Sequence, residues 1–110
     1  MAGFSAFDEL WAGIIENIEL DIVGQTLKMV IKVVESSQAN TRVLECRGLS
    51  EFRYHNSMQG PWKYAELTEL HASWTEPSGI RLDFVLWSED AAIMAVTDSI
   101  LLDEKTISPY

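Results

Sequence analysis

Apolar and polar residues change period once along this chain, near residue 17. From the start, Phe4, Phe7, Leu10, Trp11, Ile14 and Ile15 recur every three or four residues, which places them on one face of a helix. Ser5 stands three residues before Asp8 in a capping-box-like pair, and Asp8 and Glu9 suit the positive end of a helix dipole. The spacing predicts a short amphipathic helix over residues 5–16, weakened a little by Gly13. Such a helix needs a surface to cover.

After it the period falls to two. Ile18, Leu20 and Ile22 alternate with Glu19 and Asp21, the pattern of a half-buried strand over residues 17–24. Leu27, Met29, Ile31 and Val33 then alternate with Lys28, Val30, Lys32 and Val34, so residues 26–35 form the second arm of a hairpin around Gly24-Gln25. Lys28 and Lys32 are placed to lie across from Glu19 and Asp21. Further strands are predicted over 41–47, 50–56, 64–75, 79–88 and 91–102, with Asp98 interrupting the last. They are separated by SSQAN, Gly48, NSMQGP, EPSG and SED.

Connections this short force antiparallel neighbours, since a parallel crossover takes a dozen or more residues. The expected fold class is α+β. An N-terminal helix packs on a strongly twisted, mostly antiparallel meander sheet of six or seven strands, in one domain spanning residues 1–110.

The segment YAELTELHASW, residues 64–74, is the densest in reactive side-chain types. Tyr64, Leu67, His71 and Trp74 have helical spacing, so a helix is the alternative there. The EPSG turn and the clear strand that follow favour a strand pairing back. Thr68, Leu70, Ala72 and Trp74 then face inward, and Glu69, His71 and Ser73 face outward. A carboxylate beside a histidine, as Glu69 is beside His71, can orient a general base. With Tyr64 they form a candidate polar cluster. No nucleophile, oxyanion donor or pocket is marked around them, and a solvated pair is the expectation.

Composition narrows the remaining chemistry. Seventeen acidic residues against eight basic ones give a net charge of -9, which opposes binding to nucleic-acid phosphates or an anionic membrane surface and favours a basic partner. The single cysteine, Cys46, supports no internal disulfide and reads as a buried structural thiol. Two histidines, His55 and His71, without HExxH, CxxC or EF-hand spacing give no metal site, and no glycine-rich loop cradles a phosphate. No catalytic residue, metal or cofactor is assigned. No apolar run is long enough to span a membrane as a helix, and the N-terminus lacks a signal-peptide pattern, so a cytoplasmic location is expected.

Four tryptophans are many for 110 residues. Val85 and Trp87 sit on the opposite parity to Phe84 and Leu86, and Val30 and Val34 oppose the Leu27–Val33 row. The N-terminal helix, through Phe7, Trp11 and Ile14, is expected to cover that second face. A protein interface using Trp62, Val85 and Trp87, including a homodimer contact, is the other reading.

The stretch LDFVLWSEDAAIMAVTDSILLD carries a resemblance. Phe84, Leu86, Trp87 and Ser88, with Ser99, Ile100 and Asp103, resemble the end of the small bacterial YxiG-like proteins, and ELTEL at 66–70 resembles their middle strand. Asp98 departs from that pattern. The resemblance implies no enzymatic activity, and it implies an immunity-type role through the toxin-gene neighbourhoods of some members. Two readings follow. One is a small, acidic, non-catalytic protein–protein interaction domain; the other is a ligand-binding or catalytic domain with a pocket near Tyr64, Glu69 and His71.

Overall fold

The computed structural model describes residues 4–35, 37–57, 65–75, 79–86 and 91–107. Among them the architecture is all-β, which corrects the α+β expectation. A single 3₁₀ helix, Phe4–Leu10, precedes nine strands: β1 Gly13–Asp21, β2 Thr26–Glu35, β3 Gln38–Arg47, β4 Glu51–Asn56 and β5 Ala65–Trp74. Then come β6 Ile80–Leu86, β7 Ala91–Thr97, β8 Ser99–Leu102 and β9 Lys105–Thr106.

The predicted helix over 5–16 fails at its second half. Phe7 and Leu10, three apart, are buried as one face of the 3₁₀ turn, but Trp11 is 70% exposed and does not continue that face. Ala12 adopts φ 61°, which ends the helical path, and Gly13 enters β1. A Cβ at Gly13 would lie 2.5 Å from Ile31 Cγ2 and 2.9 Å from the Leu10 carbonyl oxygen, so only glycine lets β1 press this closely on β2. The β-branched Ile14 and Ile15 then favour extended backbone.

The strands form one antiparallel sheet in the order β4-β7-β6-β5-β1-β2-β3-β8-β9, so the chain does not simply meander. β4 skips its sequence neighbours and pairs with β7. The sheet is nearly divided at its centre. β1 pairs with β2 along its length, from Ile14 to Asp21, but with β5 only at Gly13, Ile14 and Ile15. A bulge lies on each side of that short junction, at Glu16 in β1 and at Thr68 in β5. Bulges bend a strand and raise its twist, so β1 and β5 diverge there.

Two half-sheets result, β4-β7-β6-β5 and β1-β2-β3-β8-β9, folded face to face. The chain passes between them from β7 to β8 through Asp98, whose amide donates to the carbonyls of Arg47 and Gly48. One continuous core fills the space: Leu27, Met29, Ile31, Leu44, Cys46 and Ile100 from one half, and Leu67, Leu82, Phe84, Leu86 and Ile93 from the other. The 24 Å short axis fits two sheets packed about 10 Å apart with their outer side chains. Self-packing of the sheet closes the core that the sequence assigned to a helix. Val34 consequently stays 64% exposed and Val85 half-buried on the outer surface.

Register decides the remaining faces. Glu19 lies opposite Lys28 as the alternation suggests, while Asp21 faces Thr26 and Lys32 faces Ile14. In β7 the inward residues are Ala91, Ile93, Ala95 and Thr97. The parity flips at Asp98, so Ile100 and Leu102 point inward in β8 while Met94 and Val96 do not. Arg42 of β3 clips the N-terminal segment to the β8–β9 turn through ion pairs to Glu9, at 2.8 Å, and to Asp103.

Candidate functional site

Dividing the sheet leaves two edges facing each other. Beyond Ile15, β1 pairs with β2 alone among the described residues, and β4 pairs with β7 alone. Ile18 and Leu20 lie opposite Met29 and Leu27, on the core-facing side of β1. Phe52 and Tyr54 lie opposite Ala95 and Ile93, on the core-facing side of β4. Here the half-sheets gape and leave a largely apolar groove of about 520 Å³ between Ile15 and Ile18 on one wall and Phe52 and Tyr54 on the other, with Leu86 and Ile93 below. It runs on past Phe52 into a second recess of about 370 Å³ bounded by Leu20, Ile22, Leu49 and Glu51.

The groove is apolar inside and acidic at its rim. Ile18, Leu20 and Tyr54 are exposed, and the β1–β2 turn carries Ile22 at 80% and Val23 at 96% exposure. Contiguous exposed aliphatic side chains of this kind mark interaction surfaces, since single ones are normal but patches are not. Glu16, Asp21 and Glu51 border it, and Glu19 lies on the outer face of β1 opposite Lys28. Glu51 is held by Arg53 at 3.0 Å, and Glu19 accepts from the Asn17 amide at 3.4 Å. Asp21 Oδ1 caps the turn by accepting from the Gly24 N–H at 2.9 Å. No ion pair reaches Glu16 or Asp21 among the described residues.

The polar cluster read from the sequence is only partly described. His71 Nε2 and Glu69 Oε2 are 2.7 Å apart on the outer face of β5, and both side chains are more than half exposed. His71 lies opposite Asp83, whose carboxylate takes a forked pair of hydrogen bonds from Arg81. A small recess of about 180 Å³ between Trp11 and the free edge of β5 borders the pair. Tyr64 lies outside the described residues. Of the interface expected from Trp62, Val85 and Trp87, only Val85 is described; it sits half-buried between Glu69 and Ala92 on the outer face. Trp74, expected inward, shares the face of Leu70 and Ala72 but is 55% exposed, although Ile80 opposite it is buried in the core.

Among the described residues no three histidine, cysteine or acidic side chains converge as a metal site. The Cys46 thiol is fully buried and pushed up to about 12, first by burial and then by the charge of Glu45, so no thiolate nucleophile forms near neutral pH. Among the described residues no helix is long and apolar enough to cross a membrane.

The groove residues escaped sequence reasoning because Ile18 and Leu20 alternate with acids as a half-buried strand does. One signal was present: Val23 beside Ile22 puts two aliphatic residues into a turn, where no burial follows.

No protein-family model matches the chain, and no curated protein matches it significantly. An uncharacterized protein from Neisseria gonorrhoeae, known from its crystal structure, is similar in fold, with a TM-score of 0.64 over 84% of this chain and 91% of its own. The two are 11% identical, so the likeness is one of fold alone.

Proposed function

We propose that this chain is a small acidic protein-binding domain that receives a basic partner in the groove between β1 and β4. The observation that carries this reading is the run of exposed aliphatic and aromatic side chains, Ile18, Leu20, Ile22, Val23 and Tyr54, beside the carboxylates of Glu16 and Asp21, which make no ion pair among the described residues. An apolar floor supplies affinity by excluding water, and an acidic rim supplies steering and selection of partner charge. The net charge of -9 extends that field over the whole molecule. A cytoplasmic, immunity-type role, in which the domain covers a basic protein surface, is the narrower form of the proposal.

The test is site-specific photo-crosslinking in the producing organism. A photoreactive residue at position 22, in the groove, is compared with one at position 104, on the opposite edge. A basic protein captured at 22 and not at 104 must then bind the purified domain with a salt-dependent Kd. A domain that captures no protein at 22, while a small molecule raises its melting temperature, would point to ligand binding instead.

A further inference from the structure

We infer that the free edge of β1 accepts an extended segment of a partner, alternating apolar and cationic residues, which adds to the sheet as a further strand beside residues 16–21. This rests on the protein-binding reading and names its mode and the chemistry of the segment. Six residues of edge present about 20 Å of backbone whose outward N–H and C=O groups have no sheet partner among the described residues. Exposed edges are usually blunted by lysine, proline, a bulge or a covering element; residues 16–21, ENIELD, contain neither lysine nor proline, and the bulge lies only at Glu16, where the edge begins.

The side chains beside that edge fix what kind of strand fits. A strand pairing with β1 would lay every second residue over Ile18 and Leu20 and against Phe52 and Tyr54, where only apolar side chains match the groove. Its intervening residues would fall on the outer face with Glu19 and Asp21, where cations match. Strand addition of this form draws affinity from the main chain and selectivity from alternate side chains. A second copy of this chain is the poorer occupant. In antiparallel self-pairing of β1 centred on Glu19 or on Leu20, Glu19 faces its own copy or Asp21, and like charges across a strand pair repel.

The experiment is an amide-resolved NMR titration of the full chain, isotopically labelled, with three synthetic peptides. The first is acetyl-TVKVKVTV-amide; the second replaces both lysines by glutamate; the third is the lysine peptide N-methylated at alternate amides. The lysine peptide should shift the amides of Asn17–Asp21 and of Phe52 and Tyr54. Its affinity should rise severalfold when salt falls from about 300 to about 50 mM. The glutamate and N-methylated peptides should bind at least about tenfold more weakly. Leu20→Lys, at an exposed position that leaves the core intact, should abolish the shifts while the spectrum stays dispersed.

Four results would overturn the proposal: no shift at millimolar lysine peptide, equal binding of the glutamate peptide, shifts confined to another face, or dimerisation through the same amides. Slow hydrogen exchange at the amides of residues 16–21 that point away from β2 would do so too, because the edge would then be covered by the chain itself. A basic protein crosslinked at position 22 together with a silent β1 edge defeats strand addition and leaves the protein-binding reading. Failure of both experiments removes both.

Discussion

Gly48 tests the way the two half-sheets are joined. It sits at the end of β3 with φ 71°, and its carbonyl and that of Arg47 accept the Asp98 amide where the chain crosses from β7 to β8. A Cβ at this position would press on the Asp98 carboxylate and lie 2.8 Å from the Asp98 Cβ. Gly48→Ala therefore has two costs. The left-handed backbone costs an L-residue about 1–2 kcal/mol. Crowding against Asp98 adds about 1–3 kcal/mol, since the Asp98 Cβ is anchored by backbone hydrogen bonds and cannot rotate away.

The sum is a loss of roughly 2–5 kcal/mol, a large share of the 5–15 kcal/mol typical of a domain. Urea unfolding read by tryptophan fluorescence measures it, with a slope of about 1–3 kcal/mol/M. A double-mutant cycle separates the two costs. Asp98→Gly removes the crowding but not the φ strain, so Gly48→Ala should cost about 1–3 kcal/mol less in the Asp98→Gly background. If Gly48→Ala costs under about 0.5 kcal/mol, or the cycle shows no coupling, the close approach of Gly48 and Asp98 is refuted.

Three further outcomes are expected. Thr97, the one buried polar side chain among the described core residues, donates to the Arg47 carbonyl at 2.7 Å. Thr97→Val keeps the shape and should lose about 1 kcal/mol in the same urea assay, while Thr97→Ser keeps the bond. Asp103 pairs with Arg42, accepts the Val43 N–H at 2.8 Å and holds φ 51°, so Asp103→Ala should cost about 1–2 kcal/mol and Asp103→Asn less, by thermal melts at two salt concentrations. Burial lifts the Cys46 thiol from 9.0 to about 12. A raised folded pKa gives stability that is intact below about 9 and lost between about 9 and 12, as the unfolded chain releases its proton first. Relative to Cys46→Ala, the native protein should therefore lose stability with rising pH across that window. At pH 8 a disulfide reagent should label Cys46 only as fast as the chain unfolds.

Much of the strand pattern was legible because alternation is local. A residue's side of a pleated strand depends on its immediate neighbours, so the rows Leu27-Met29-Ile31-Val33 and Ile80-Leu82-Phe84-Leu86 could be read directly, and both are buried. The same local logic misread the N-terminus. Phe7 and Leu10 fit an α-helix and a 3₁₀ turn alike, and nothing within twelve residues reveals that Ile31 requires glycine at position 13. It also misplaced single side chains after a bulge. Thr68 adds a residue to β5, so Leu67 is buried one step before the inward phase of Leu70 and Ala72 resumes. For the site, the Glu69–His71 pairing was readable as two residues apart on one strand face, and the groove was not.

By itself the sequence determined a chain of short antiparallel strands, a single buried thiol, and a net acidic charge. Those follow from composition and from period-two burial, which neighbouring residues set. Only the tertiary structure decided that the sheet closes its own core, that β4 pairs with β7, and that β1 leaves β5 after Ile15. Strand order and edges arise from pairings between residues far apart in the chain, and two bulges, each a single extra residue, open the sheet at the groove. Ile18 and Leu20 have the alternation of core residues and became exposed only because of where their strand lies.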